Sequence, residues 1–178
     1  MDDKKGSFKP VFIALIISLA IASLWNKVSW ISQPIHYILD PTLGGLLRWN
    51  LVLGMIIIVL IINLVTTIIQ KYATDQEALK AIRKEQKALQ EEMKKFKDNP
   101  QKMMELQKKS FEFIPQTMKL SMRSFTYTAV PLILLFRWFM DIFSSMGSPK
   151  FLGMGWILFY LLSSIIISSI LRKVFKVV

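Results

Sequence analysis

The stretch that decides the fold is residues 71–123, KYATDQEALKAIRKEQKALQEEMKKFKDNPQKMMELQKKSFEFIPQTMKLSMR. It carries 13 basic and 8 acidic residues, yet leucine, isoleucine, methionine and phenylalanine recur along it at helical spacing. Apolar runs long enough to cross a bilayer lie on both sides. The charged element therefore stands in the aqueous phase between two membrane spans.

The flanking apolar runs predict the topology. Three apolar runs are long enough to cross a bilayer, namely residues 51–69, 125–143 and 151–171. A fourth run, residues 11–25, is long enough only if its helix continues to residue 31. The predicted fold class is an all-α integral membrane protein with a three-helix transmembrane core, an N-terminal hydrophobic span and a cytoplasmic antiparallel helical hairpin. The predicted segments are a span at 11–31, an external amphipathic segment at 32–49, a transmembrane helix at 50–70, the coiled-coil hairpin at 71–123, transmembrane helices at 124–146 and 151–172, and a basic tail at 173–178.

Basic residues orient these spans. Most of the 23 lysines and arginines lie in the N-terminus, the hairpin and the tail. This distribution predicts that all three segments face the cytoplasm and that the protein is located in the plasma membrane. The net charge of +11 suits orientation and attraction to anionic headgroups, so no free nucleic acid is expected as a partner. A secretory signal peptide is the competing interpretation of the first run, because Lys4, Lys5 and Lys9 precede an apolar stretch ending at Ala20-Ile21-Ala22.

The hairpin has start, turn and seam signals of its own. Thr74 followed by Glu77 predicts a capping box, and Asp98-Asn99-Pro100 predicts the turn. Pro115 predicts a break before a short amphipathic piece. The two predicted seams are Leu79, Ile82, Gln86, Leu89, Met93 and Phe96 on the first arm, and Met103, Leu106, Ser110 and Phe113 on the second.

The opposite side of the membrane holds two predicted connections. Residues 26–50 are amphipathic and aromatic, which suits an interfacial helix near residues 35–40. A turn at Asp40-Pro41 then leads into the first core span. Gly147-Ser148-Pro149 predicts a tight turn between the last two spans.

Polar residues inside the spans are the first candidates for a functional site. Four of them recur at helical spacing on the helix 50–70, and the inner halves of the other two core spans are polar as well. Packing is the alternative, since serine and threonine are common at helix contacts in membranes. The shared depth in three spans predicts a wet groove open to the cytoplasm and closed outside. Its candidate lining residues are Asn63, Thr66, Thr67, Gln70, Ser124, Thr128, Ser163, Ser164 and Ser168.

Two charged residues lie within a predicted span. Arg137 and Asp141 are four residues apart, so they can form an internal ion pair on one helix face. A charge inside a membrane is costly and marks a functional candidate, for instance in a transporter or channel. Their position toward the outside also suits a seal of the helix bundle.

The hairpin region holds candidates for contact with a client protein or a ribosome. Surfaces that accept varied apolar partners use methionine, which is flexible and polarisable. Met104, Met118 and Met122 are the candidates for an exposed patch, while Met93 and Met103 fall on the seams. The basic candidates for contact with a client or a ribosome are Lys94, Lys95, Lys97, Arg172 and Lys173.

The sequence offers little for catalysis or metal binding. It has no cysteine and a single histidine, His36, and it contains no nucleotide-binding loop, nucleophile–base pair or dinucleotide fingerprint. We therefore expect no enzymatic activity, no metal site and no cofactor.

The order of parts resembles the YidC-type membrane protein insertase superfamily. Leu39-Asp40-Pro41 before the first core span, and Pro131 followed by Leu-Ile-Leu and then Trp138, are similar to motifs of the insertase subunit of the ER membrane complex. The architecture is also similar to the archaeal YidC-like branch. The resemblance covers about residues 35–175. It implies a hydrophilic groove, nascent membrane proteins as partners and often the ribosome as their source. Many members carry a groove arginine on the first core helix, where Asn63 stands in this chain.

These observations lead to one hypothesis and two rivals. The hypothesis is an insertase or membrane-protein biogenesis factor that receives hydrophobic segments of nascent proteins and releases them into the bilayer. No nucleotide is needed, because burial of the client's apolar span in lipid drives the step. The rivals are a transporter or channel subunit that uses Arg137 and Asp141, and a coiled-coil membrane scaffold.

Overall fold

The computed structural model describes residues 8–96 and 99–177. Within these ranges the chain folds into helices α1 (Phe8–Leu24), α2 (Ser29–Leu39), α3 (Leu43–Trp49), α4 (Leu51–Ala73), α5 (Gln76–Lys95), α6 (Pro100–Ser145) and α7 (Trp156–Phe175). The described regular structure is all helical, which confirms the predicted fold class.

Three helical segments are long and apolar enough to cross a membrane: Leu51–Ala73, Ser124–Ser145 within α6, and Trp156–Phe175. A fourth span exists only if α1 and α2 are counted together, and these two helices meet at 91°. The predicted span over residues 11–31 is therefore not one continuous helix, because it is broken between Leu24 and Ser29. The helix ends at Leu24 because the polar residues Asn26 and Lys27 follow and are exposed, and the backbone N–H groups of Lys27 and Val28 both bond to the Leu24 carbonyl at 2.9 Å.

Helix α6 joins the hairpin to the membrane without interruption. It runs for 46 residues and contains both Pro115 and Pro131, so the predicted break at Pro115 is wrong. A proline removes one backbone hydrogen bond and crowds the preceding turn. Pro115 is exposed on the hairpin arm, where water can satisfy the freed carbonyl. The predicted boundary between residues 123 and 124 consequently falls inside one helix.

The hairpin is formed by α5 packed against the first part of α6. Leu79 and Leu106 are buried in this contact region. Asp75 caps α5 by accepting a hydrogen bond from the Ala78 N–H at 3.1 Å, so the predicted capping box at Thr74 is wrong by one residue. At the predicted turn, Pro100 begins α6 and the Asn99 side chain caps this helix by accepting from the Lys102 N–H (3.1 Å), while Asp98 lies outside the described residues.

We call the end of α4, α6 and α7 near the hairpin the hairpin end, and the end near residues 146–155 the turn end. At the turn end, α2 is longer than the predicted interfacial helix, and α3 stands between the Asp40-Pro41 turn and the span. Asn50 starts α4 by accepting from the Leu53 N–H at 2.9 Å. The hydrophobic core sits at this end, where α4 packs on α3 and α7, and α1 lies along α6.

Candidate functional site

The turn end is closed by aromatic side chains. Trp138, Phe139 and Phe143 of α6 are fully buried there, as is Phe151 of the turn. The rings of Phe143 and Phe151 lie 5.3 Å apart in an edge-on arrangement, and Phe151 stacks on Phe159 of α7 at 5.2 Å. Such ring pairs fill space densely. The helices are therefore tightly packed at this end.

A polar network next to this cluster holds α2 against α6. Asp141 accepts a hydrogen bond from the indole N–H of Trp25 at 2.5 Å, and its carboxylate lies 3.2 Å from Nε2 of His36. Nδ1 of His36 lies 3.1 Å from Asp40, which accepts from the indole N–H of Trp138 at 2.7 Å. The histidine thus lies between two carboxylates that belong to α6 and to the end of α2.

Arg137 does not pair with Asp141, so the predicted internal ion pair is wrong. Its guanidinium donates to Oδ1 of Asn26 at 3.2 Å and lies over the ring of Trp25. The ion pairs of the described residues do not include Arg137 with Asp141. The physical reason is that the corner between α1 and α2 supplies partners to both side chains. These two residues hold that corner onto α6.

The predicted groove residues divide into four groups: some pack between helices, some line a polar cavity, Thr66 lines an apolar slot, and Ser163 and Ser168 line neither space. Asn63 and Thr67 are buried, with 7% and 2% of their surface exposed. Nδ2 of Asn63 donates to the Val59 carbonyl at 2.8 Å, and its Oδ1 accepts from the Ser164 hydroxyl at 3.0 Å. Asn63 and Ser164 therefore link α4 to α7, and the packing interpretation applies to them.

The second group lines a polar cavity of about 230 Å³ at the hairpin end. This cavity, which we call the polar cavity, lies where α4, α5, α6 and α7 meet. Predicted groove residues Gln70, Ser124 and Thr128 line it, together with Arg172, which the sequence suggested only as a contact residue. Its remaining lining residues are Thr74, Gln76, Leu79, Arg83, Thr117, Ser121 and Phe125.

An apolar slot of about 220 Å³ lies between α4 and α6. Thr66 and Thr128 line it, and Thr128 also lines the polar cavity, so the two spaces adjoin. The Thr66 and Thr128 hydroxyls donate to carbonyls within their own helices, at 2.8 Å and 3.1 Å, which satisfies them beside hydrocarbon. The other lining residues are Leu43, Ile61, Ile62, Val65, Ile69, Pro131, Leu132 and Leu135. Ser163 and Ser168 lie half-buried on α7 and line neither space.

The hairpin carries an exposed row of apolar side chains on α6. Met104, Phe111, Met118 and Phe125 follow each other at seven-residue spacing, with exposures of 49–63%. We call these four residues the apolar stripe. Met104 and Met118 were predicted, and Met122 is half-buried. Phe111 and Phe125 were not predicted. Counting in steps of seven residues from Met104, which follows the seam residue Met103, would have found them.

The predicted basic contacts lie at two separate places. Lys94 and Lys95 are exposed at the tip of the hairpin, at the end of α5. Arg172 and Lys173 lie in the last turn of α7, at the hairpin end of the membrane part. Lys97 lies outside the described residues. In the described part of the chain no cluster of three or more histidines and carboxylates could hold a metal ion.

Comparison with known families gives one clear result. Residues 36–153, about two thirds of the chain, match the family described as integral membrane protein EMC3/TMCO1-like. The match includes His36, the hairpin and the first two core spans, and it ends before α7. Comparisons with curated proteins and with solved structures gave no significant match. The chain belongs to the EMC3/TMCO1-like family of integral membrane proteins, a branch of the YidC/Oxa1/Alb3 insertase superfamily.

Proposed function

We propose that this protein is a membrane protein insertase that receives hydrophobic segments of nascent membrane proteins at its hairpin end. Membership of the insertase superfamily supports this role. One structural observation carries it, namely that a polar cavity and a membrane-depth apolar slot adjoin at Thr128. The tightly packed aromatic cluster at the turn end supports a path that opens at one end only.

The two spaces suit the two parts of a client. Each unsatisfied polar group placed in hydrocarbon costs several kcal/mol. A client's polar flank can exchange its hydration for the hydroxyl and amide groups of Ser124, Thr128 and Gln70 in the polar cavity. Its apolar segment meanwhile enters the slot and leaves sideways into lipid, and that burial supplies the driving force.

The hairpin supplies the first contacts. In this proposal the protein lies in the plasma membrane and its hairpin is on the cytoplasmic side, in line with the distribution of basic residues. The apolar stripe holds the client's hydrophobic segment, and Lys94 and Lys95 at the tip contact ribosomal RNA. Continuous α6 carries the stripe directly from the hairpin into the wall of the polar cavity, because Phe125 belongs to both.

The test is an insertion assay in proteoliposomes. A cell-free translated client with one hydrophobic span and a polar flank is scored by protease protection of that flank. We expect Gln70→Leu with Ser124→Ala to lower insertion several-fold, because the cavity loses two of its hydrogen-bonding side chains. Ser169→Ala is the matched control, since Ser169 is exposed on α7 and bonds to its own helix at the Ile165 carbonyl. Full insertion by the double variant would contradict the proposal.

A further inference from the structure

The polar cavity is lined for an anion. Two arginines, Arg83 on α5 and Arg172 on α7, line it, along with Thr117, Ser121 and Ser124 on α6. None of the described residues that line it carries a carboxylate. Among the described residues, no aspartate or glutamate forms an ion pair with either arginine. Arginine forks match phosphate oxygens in geometry and charge.

Two buried polar atoms in the wall lack a partner. Nε of Arg172 and Oγ1 of Thr117 are inaccessible to solvent and make no hydrogen bond. Buried polar atoms in proteins are nearly always hydrogen-bonded, and a buried donor without an acceptor is costly. Both residues line the cavity, so an anion bound there can serve as acceptor for these atoms once the two side chains turn toward it.

The apolar slot supplies the second half of a ligand site. It begins at Thr128 beside the polar cavity and runs between α4 and α6 as far as Leu43, near the turn end. Its wall is almost wholly aliphatic. An inorganic anion uses only the cavity, whereas a molecule with an anionic head and an alkyl chain uses both spaces.

We propose that an anionic glycerophospholipid binds here, with its phosphate between Arg83 and Arg172 and an acyl chain in the slot. The location suits this occupant, since Lys71, Lys173 and Lys176 surround the hairpin end and attract anionic headgroups. The lipid occupies the space offered above to a client. Lipid binding is measured without a client, and insertion is measured in a separate assay. Failure of the lipid proposal is therefore distinguished from failure of the insertase proposal.

The experiment is native mass spectrometry of the full chain released from detergent with added phosphatidylglycerol, phosphatidylcholine or inorganic phosphate. We expect phosphatidylglycerol to bind at least about tenfold more tightly than phosphatidylcholine, because both carry a phosphate but only phosphatidylcholine adds a cationic choline, which two arginines repel. Arg83→Gln with Arg172→Gln should abolish this preference. The matched control is Lys84→Gln with Lys87→Gln, which removes the same charge from exposed residues of α5 that do not line the cavity. Circular dichroism verifies that both pairs fold.

A second pair of variants tests the chain in the slot. Val65→Trp fills the slot and should weaken phosphatidylglycerol binding about tenfold, the effect of losing part of the apolar contact. Leu60→Trp, on an exposed face of α4 outside the slot, should not. Equal binding of the two lipids, or equal loss in the lysine control, would overturn the proposal. Displacement of phosphatidylglycerol by inorganic phosphate at equal concentration would overturn the assignment of the slot to an acyl chain.

Discussion

Gly54 is the position where α3 and α4 come closest, and Gly54→Ala tests how the turn end is held together. A Cβ atom at Gly54 would lie 2.4 Å from the carbonyl oxygen and 2.6 Å from the carbonyl carbon of Leu46, and 3.0 Å from the backbone nitrogen of Leu47. These are backbone atoms, so no side-chain rotation relieves the clash. Helix α3 must move by about 1 Å to restore an ordinary contact distance.

Two opposing effects set the change in the free energy of unfolding. Overpacking of this kind costs about 1–3 kcal/mol. Alanine is better than glycine within a helix by about 1 kcal/mol, which offsets part of the loss. Gly45→Ala on α3 isolates the first term, because a Cβ there meets nothing within 4 Å. We therefore expect Gly54→Ala to unfold more easily than Gly45→Ala by about 1–3 kcal/mol.

The assay is titration of the purified protein with a denaturing detergent, followed by far-UV circular dichroism. Cleavage after the exposed Arg48 by trypsin gives a second readout, because detachment of α3 should accelerate it. Equal unfolding midpoints for Gly54→Ala and Gly45→Ala would refute the close packing of α3 on α4.

Three further changes test the network, the helix contact and the hairpin. Asp141→Ala leaves the Trp25 indole N–H without its acceptor and should cost about 1–3 kcal/mol in the same titration; Asp141→Asn keeps an acceptor oxygen, and an equal loss in both variants would contradict this role. Asn63→Leu loses the hydrogen bond from Ser164, which should lower the free energy of unfolding by about 1 kcal/mol and leave insertion per folded molecule unchanged. Lost insertion at unchanged stability would instead place Asn63 in the client path. Leu106→Ala removes a side chain that is 1% exposed, which should destabilise the hairpin by about 2–5 kcal/mol and speed its proteolysis. The control is Met104→Ala at an exposed position, and equal proteolysis rates for the two variants would argue against the hairpin packing.

The sequence was sufficient for elements that depend on local chemistry. The spans follow from unbroken apolar runs, and the hairpin turn follows from Asn99 as a cap and Pro100 in the first helical turn. It was insufficient at Pro115, where local propensity favours a break. There the packing of α5 along α6 and the solvent exposure of the proline keep the helix continuous.

Side-chain partners far apart in the sequence were the other difficulty. Arg137 and Asp141 are spaced for an ion pair, but their partners come from a corner more than a hundred residues earlier. The polar residues of α4 likewise share one broad helix face. Asn63 and Gln70 lie seven residues apart on that face, so their depth along α4, and the helices present at each depth, decide that Asn63 packs on α7 while Gln70 lines the polar cavity.

The measurement that tests the central claim most directly is photocrosslinking from the slot to a ribosome-tethered chain with one hydrophobic span. A photoreactive residue replaces Val65, which lines the slot, or Ile166, which is exposed on α7 outside it. The insertase account predicts adducts from position 65 that appear as the span emerges and fade after its insertion, with few adducts from position 166. Equal adducts from both positions, or none from position 65 with the protein folded, would contradict the account.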